Sequence, residues 1–417
     1  MDIKVTPKRL SGKIGAIPSK SDAHRLLICA ALSDGETELF MDRTSEDIEA
    51  TVLCLEAMGA HIEKRDGANV VRPIRRGAEH PALDCGESGS TFRFLLPVAA
   101  ALYEKTSFTG RGRLPKRPIG ELTSQMKLHG VDFSADALPF ETSGRMSGGE
   151  FTLPGNVSSQ YITGLLLALP LLREGGSIRL TTELQSSPYV DITLGALKKF
   201  GVDAIKGLRS FTVSGGQRFT SPGRVNVEGD WSNAAFFLCA GAMGASVTVT
   251  GLQMNSPQGD KAIIDVLKKF GAHFHIGGDS VTVYPARLRA CEVDLGETPD
   301  MLPVLCVLAA AAAGETRFVN AARLRLKESD RIAACENMLR ALGIEARSDA
   351  DSLTVTGGRI SGGTVDSAGD HRIAMAAAVA AVAASGDIII KGAEAVKKSY
   401  PDFFGDFSKL GGECHVV

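Results

Sequence analysis

The sequence predicts a mixed α/β protein assembled from six similar modules, and three observations predict it. First, a helix-like segment that ends in an apolar residue and a glycine, then passes into a strand-like stretch, recurs as LEAMGAHIE, MKLHGVDFS, LKKFGVDAI, LKKFGAHFHI, LRALGIEAR and, more weakly, FSKLGGECHVV. The glycines are Gly59, Gly130, Gly201, Gly271, Gly343 and Gly411, separated by 71, 71, 70, 72 and 68 residues. Glycine after a helix takes the left-handed conformation without a Cβ clash and releases the chain into a strand. The spacing exceeds the usual solenoid period of roughly 20 to 50 residues, so each unit is a sizeable module. Second, β-branched runs at Val247–Thr250, Val281–Tyr284, Leu353–Thr356 and Ile388–Ile390 read as strands. Third, the Ala-rich stretches Met301 to Gly314 and Ile373 to Ala384 read as buried helices. They fall short of the roughly 18 to 20 residues that a membrane span needs.

Composition narrows the function classes. The 417 residues carry a formal net charge of −2, so no global basic field points to nucleic acid or an anionic membrane. Eight cysteines, none in a CxxC pair, read as reduced, small apolar residues of a reducing compartment. The N-terminus lacks the apolar core of a signal peptide, and Ile3 and Val5 alternate as a strand would. His273 and His275 share one strand face with no third ligand at metal spacing, and read as structural.

Charged and hydroxyl residues gather at helix entrances. Pro18-Ser-Lys-Ser-Asp-Ala-His-Arg25 leads into a helix expected over 23–32, capped by Ser21 or Asp22, with Lys20 and Arg25 at its mouth. On these residues alone, an anion site and a capped helix with solvated charges are equal readings. Asp84-Cys-Gly-Glu-Ser-Gly-Ser-Thr-Phe-Arg93 is a small-residue turn entering a helix expected over 92–102; it is neither a Walker loop nor a dinucleotide fingerprint. Arg111 to Pro118 places four cations in a Pro- and Gly-punctuated loop, which taken alone reads as a solvated basic loop and gains weight as an anion site only beside the other segments. Ser158-Ser159-Gln160 opens a helix expected to reach Leu172, and Ser186 precedes another expected at Val190; hydroxyls and free N–H groups there suit a phosphate, although simple serine capping is the commoner reading of either motif alone. Asp300 precedes a helix expected over 301–313, and Arg325 to Arg331 packs five charges before one expected over 332–342. Asp370-His-Arg372 precedes a wholly apolar helix, and Lys397-Lys-Ser-Tyr-Pro-Asp402 closes the set. Convergence of Lys20, Arg25, Arg93, Arg117, Lys327, Arg331, Arg372 and Lys398 would make a cationic pocket for two anionic substrates, whose charges repel by roughly 4 kcal/mol at 4 Å and an effective dielectric of 20.

The ordered set PSKSDAHR, CGESGSTFR, LPKRPI, VSSQYITGLLLALPLL, SPYVDIT, EGDWSNAAFF, TPDMLP, LKESDRI, DHRIAM and KKSYPDFF resembles, over the whole chain, the 3-phosphoshikimate 1-carboxyvinyltransferase (EPSP synthase) family. The resemblance implies a two-domain inside-out α/β barrel of six βαβαββ repeats, three per domain. It implies a discontinuous domain of residues 1–14 plus 229–417, a second of 15–228, and an active site in the cleft between them. It implies transfer of the enolpyruvyl group of phosphoenolpyruvate to the 5-hydroxyl of shikimate 3-phosphate through a tetrahedral intermediate, on the chorismate branch of aromatic amino acid biosynthesis.

The same resemblance assigns residues. Lys20, Ser21, Arg25, Ser158, Ser159, Gln160, Ser186, Asp300 and Lys327 match the shikimate 3-phosphate site, with Tyr189 beside it. Lys20, Gly89, Arg117, Gln160, Arg331, Arg372 and Lys398 match the phosphoenolpyruvate site. Asp300, assisted by Lys20, and Glu328 match the acid–base groups. No cofactor and no metal are implied; the expected protein is a cytoplasmic monomer whose partners are its two small-molecule substrates, with no nucleic acid and no membrane. Glu87 stands where many members carry Asn, Arg323 where some carry Asn, and Phe94 where others carry Pro; Gly89 is retained, which leaves room for glyphosate, a competitor of phosphoenolpyruvate in the family. The alternative is the sister enzyme that transfers enolpyruvyl to UDP-N-acetylglucosamine, but its loop cysteine has no counterpart between Arg111 and Arg117. RNA 3′-phosphate cyclase, with His371 as the nucleotide-attaching residue, and a non-enzymatic anion binder are further rivals; the net charge and the intact Lys20, Asp300 and Glu328 argue against them.

Overall fold

The structure is a computed structural model that describes residues 1–75 and 78–417. Two compact units divide the chain: Met1–Ser19 with Glu228–Val417, and Lys20–Val227. Each has an apolar core of its own, drawn from its own residues.

Helices among the described residues are numbered in chain order: α1 (Lys20–Leu32), α2 (Glu46–Ala57), α3 (Gly89–Leu102), α4 (Gly120–Leu128), α5 (Ser159–Ala168), α6 (Ser187–Lys199), α7 (Trp231–Met243), α8 (Ile263–Lys269), α9 (Leu302–Ala310), α10 (Arg331–Ala341), α11 (His371–Ala380) and α12 (Phe403–Lys409). They belong to six modules, each closed by one four-stranded sheet. The module from Ala82–Asp84 to Phe140–Ser143 shows the plan. Strand, α3, strand Lys105–Thr109, α4, strand Asp132–Phe133 and strand Phe140–Ser143 follow one another. The first two strands pair in parallel, Phe140–Ser143 joins the second antiparallel, and Asp132–Phe133 joins Phe140–Ser143 antiparallel at the edge. The six repeats expected from the glycine spacing are therefore present.

The glycines do what their spacing implies. Gly59, Gly130, Gly201, Gly271, Gly343 and Gly411 all have positive φ, between 73° and 103°. After each one, the next N–H returns to a carbonyl five residues back, as in Ala60 to Leu55 at 3.0 Å and Ile344 to Leu339 at 2.9 Å. This is the Schellman closure, which satisfies carbonyls that the last helical turn would otherwise leave bare.

Three sheets are completed by remote chain. Ile3–Thr6 lies between Ile388–Lys391 and the C-terminal Glu413–Val416. Gly12–Gly15 pairs in parallel with Val247–Thr250, and Arg224–Asn226 with Thr37–Phe40. Within each unit the first helix of every module faces inward. Every residue of α9 and α11 is buried, as is all of α7 except Met243. Such helices need no polar face, and sheets lie outside them; Val247 and Val249 point inward while Thr248 binds Thr282 at 2.8 Å on the other face. The packing is tight: a Cβ at Gly164 of α5 would lie 2.2 Å from the Arg93 carbonyl of α3.

Helix starts and ends differ from the sequence expectation. α1 begins at Lys20, so Ser21 and Asp22 lie inside its first turn rather than capping it. The cause is upstream: Ser19 is fixed by its N–H to the Glu228 carbonyl at 2.7 Å, beside the Pro18–Gly229 bridge. α3 begins at Gly89, earlier than expected, because Ser88 caps it by accepting from the Thr91 N–H. α5 stops at Ala168, where Pro170 forces a single tighter turn, Leu169–Leu171. α6 starts at Ser187, three residues early, α9 covers only Leu302–Ala310, and α10 runs Arg331–Ala341. No described helix is long and apolar enough to cross a membrane. All eight cysteines are free thiols, six of them buried.

Candidate active site

Most of the expected site residues of each unit stand at or just before helix N-termini, whereas Arg117 and Lys398 belong to short turns. The two sets are built differently.

In the unit Lys20–Val227, Lys20 opens α1 and its ammonium meets Asp47 Oδ2 of α2 at 2.9 Å. Arg25, one turn on, is buried. Its Nε donates to Thr193 Oγ1 at 2.7 Å, Nη1 to the Ser21 carbonyl at 2.5 Å, and Nη2 to the Tyr189 carbonyl at 2.9 Å. The guanidinium also lies 4.8 Å from the centre of the Phe94 ring. Burial pushes its pKa down to about 10, with Asp22 working the other way, so it stays charged at neutral pH. Arg25 thus ties α1 to the start of α6, where Ser186 occupies the N-cap position with a left-handed φ of 58° and Tyr189 follows.

The Ser88–Gly89 turn forms a second cluster. A Cβ on Gly89 would meet Arg117 Nη1 at 2.6 Å and Arg93 Nη1 at 2.7 Å, so two guanidinium groups crowd one backbone position. Arg93 Nη1 donates to Gln160 Oε1 at 3.2 Å, Arg93 Nη2 to the Pro118 carbonyl at 2.8 Å, and Gln160 Nε2 to Ser90 Oγ at 3.1 Å. Ser158 caps α5 by accepting from the Gln160 N–H at 3.3 Å, and Ser159 is the helix's first residue. Neither α3 nor α5 has an acidic residue in its first turn, and both are capped by a neutral hydroxyl. Their N–H groups and dipoles are left available for an anion. The Glu87 carboxylate lies against Gly112 of the Arg111–Arg117 loop, 2.0 Å from where a Cβ would stand.

The other unit inverts this pattern. α7 and α11 are capped by Asp230 and Asp370, and α9 follows a single turn, Pro299–Met301, that carries Asp300. Carboxylates neutralise these helix ends, so positive charge must come from side chains. Arg331, at the start of α10, supplies the hub. Its Nε donates to Asp370 Oδ2 at 2.8 Å, Nη1 to Asp300 Oδ1 at 2.5 Å and Nη2 to Glu328 Oε2 at 2.8 Å. Burial opposes the charge, but Asp370, Glu328 and Asp300 together outweigh it and raise the pKa well above the ordinary arginine value. Lys327 Nζ reaches Asp300 Oδ1 at 3.3 Å. Its pKa is lowered, first by burial, with Asp300 opposing and Arg331 assisting. Arg372 brackets Asp300 from α11, Nη1 donating to the carbonyl at 3.2 Å and Nη2 lying 3.5 Å from Oδ2. Asp300, Lys327, Glu328, Arg331 and Arg372 therefore meet in one network, while Lys398 is buried at the end of the turn Ala393–Lys398.

Several contributors carry no sequence signal of a role. Asp47 sits among the acids that open α2, and Asp260 lies in the turn Gly259–Ala262. Asp260 is buried; burial and then the Asp300 charge push its carboxyl up to about 6, against Arg372. Asp370 reads in sequence as a helix cap, which it is, yet it is also the buried counter-ion of Arg331. His273 and His275 lie exposed on the strand His273–Gly277. Among the described residues no group of three or more His, Cys, Asp or Glu is placed to hold a metal ion.

The profile of one sequence family, EPSP synthase (3-phosphoshikimate 1-carboxyvinyltransferase), matches residues 4–407. The chain belongs to the EPSP synthase family. Its relatives include the 3-phosphoshikimate 1-carboxyvinyltransferase of Clostridium novyi, 41% identical over 425 residues and covering 99% of this chain and 98% of that one. The enzyme of the same name from Clostridium kluyveri is also 41% identical, covering 99% and 97%. Among solved structures, an EPSP synthase from Acinetobacter baumannii superposes with a TM-score of 0.82 at 26% identity, over 100% of both chains. The enolpyruvyl transferase NikO from Streptomyces tendae shares the fold, with a TM-score of 0.80 at 21% identity over 99% and 98%. Membership of the EPSP synthase family confirms the inside-out α/β fold expected from the motifs. It also favours the shikimate reading over transfer to UDP-N-acetylglucosamine.

Proposed function

We propose that this chain transfers the enolpyruvyl group of phosphoenolpyruvate to the 5-hydroxyl of shikimate 3-phosphate, with the two half-sites serving one pair of substrates. The shikimate phosphate goes to Ser158, Ser159, Gln160 and Ser186, with Lys20, Ser21 and Arg25 beside it. Asp300 and Lys327 take the ring hydroxyls. Phosphoenolpyruvate goes to Gly89, Arg117, Gln160, Lys20, Arg331, Arg372 and Lys398. Asp300, assisted by Lys20, removes the 5-hydroxyl proton as the oxygen attacks C2, and Glu328 delivers a proton to the methylene carbon. The adduct then expels phosphate while the methyl group returns its proton.

The observation that carries these roles is the placement of Asp300 and Glu328 on two nitrogens of one guanidinium, at 2.5 and 2.8 Å. Two carboxylates held around a buried cation are suited to acid–base work on an anionic substrate that the same cation binds. The domain assignment, the cytoplasmic location and the monomeric state belong to this proposal as well. A phosphate-release assay tests it: rapid release that requires both phosphoenolpyruvate and shikimate 3-phosphate is expected, and no release with that pair would overturn it.

A further inference from the structure

His24 belongs to the first buried helix but to none of the groups described above. It is fully buried, and its Nδ1 lies 2.7 Å from Thr51 Oγ1. From there a chain of hydroxyls runs on. Thr51 Oγ1 meets Thr91 Oγ1 at 2.6 Å, and Thr91 Oγ1 meets Ser88 Oγ at 2.7 Å. Thr91 also lies 3.3 Å from the Asp47 carbonyl. The chain begins one helical turn from Lys20 and passes the residue whose carboxylate holds the Lys20 ammonium. It ends at the cap of α3, beside Gly89, Arg93 and Arg117.

The direction of the chain follows from its surroundings. Burial, with Lys20 and Arg25 nearby, holds His24 well below the usual imidazole pKa, so the ring is neutral. Its Nε2 is buried without a hydrogen-bond partner. A bare lone pair is tolerated there better than an orphaned N–H, which puts the proton on Nδ1. His24 then donates to Thr51, Thr51 to Thr91, and Thr91 to Ser88. Ser88 Oγ accepts from both the Thr91 hydroxyl and the Thr91 N–H. The Phe94 ring, edge-on at 6.2 Å, fixes the imidazole plane.

We propose that His24 is a positioning residue for phosphoenolpyruvate: through Thr51 and Thr91 it sets the Ser88–Gly89 turn relative to Lys20. The proposal rests on the reaction assigned above. It makes a split prediction, because the Ser158–Ser159 cap of α5 lies outside the chain of hydroxyls. His24→Ala should raise the KM for phosphoenolpyruvate about 10-fold while the KM for shikimate 3-phosphate and kcat stay within about threefold. His24→Asn, whose amide nitrogen falls near Nδ1, should restore most of the loss, and His24→Gln should not. Thr51→Val cuts the same chain with little change of volume and should give the same split, which keeps the test decisive if His24→Ala folds poorly. Equal rises in both KM values, or values within twofold of the parent for both His24→Ala and Thr51→Val, would overturn the proposal. Parent turnover measured alongside separates the two failures: an inactive parent removes the assigned reaction and this inference together, whereas an active parent with unsplit variants removes the inference alone.

Discussion

Arg331 and Asp370 form an ion pair that water does not reach: Nε and Oδ2 are 2.8 Å apart, and neither side chain is more than 1% exposed. The pair orients the guanidinium from behind, with Ser329 holding the same Oδ2 at 3.0 Å. The two remaining nitrogens point at Asp300 and Glu328.

Asp370→Ala should therefore cost more than an ordinary buried substitution. It strips Arg331 of its buried counter-ion and α11 of its cap, and breaking a buried pair from one side typically costs about 3–5 kcal/mol. Urea denaturation of the two proteins measures this; a loss below about 1 kcal/mol, the usual scale of an exposed pair, would contradict the buried role.

Asp300→Ala should lower kcat by roughly 100-fold or more, since positioned acid–base groups contribute about 100- to 10,000-fold. Substrate binding should weaken far less. Steady-state kinetics with both substrates varied tests this, and near-normal kcat would remove Asp300 from the role.

Asp260 makes stability depend on pH. Its carboxyl ionises at about 6 in the folded protein, and a free Asp ionises near about 3.9. Between those values the folded state keeps a proton that the unfolded chain has released, so stability falls as pH rises from about 4 to about 6 and stays lower above that. Asp260→Asn should be more stable than the parent at pH 7, by an amount on the order of 2–3 kcal/mol, and nearly equal to it at pH 4. Thermal melts at the two pH values check this; an unchanged difference between them would refute it.

Gly164→Ala should separate α5 from α3. The added Cβ would stand 2.2 Å from a backbone oxygen of Arg93, which has no flexible end to swing away. Overpacking of this kind costs about 1–3 kcal/mol, and the Arg93–Gln160 contact should loosen with it. A lower melting temperature together with a raised KM for phosphoenolpyruvate is expected; an unshifted melting temperature would show that the helices yield freely.

The module plan was legible in the sequence because each repeat ends on a local signal. Gly59 and its five counterparts need only their own φ and the turn before them. The helix starts were less legible because their causes are distant: α1 begins at Lys20 on account of Glu228, far along the chain. The remote strands Ile3–Thr6 and Arg224–Asn226 pair across long stretches of chain that no local pattern records. Site residues were readable where they cluster in sequence, as Lys327, Glu328 and Arg331 do. Asp47, Asp260 and His24 act through partners on other helices, so nothing adjacent to them announces a role.

The contrast between hydroxyl caps on α3 and α5 and carboxylate caps on α7 and α11 makes the halves of a repetitive fold chemically non-equivalent. One architecture, duplicated, sets main-chain N–H groups beside Arg93 and Arg117 in one half and relies on guanidinium and ammonium side chains at carboxylate-capped helix ends in the other. Main-chain attraction cannot be titrated away or removed by truncating a side chain, whereas side-chain attraction is lost with a single codon. Truncating one cation should therefore cost more anion affinity in the half built on Arg331, Arg372 and Lys398 than in the half where helix N–H groups stand beside the arginines.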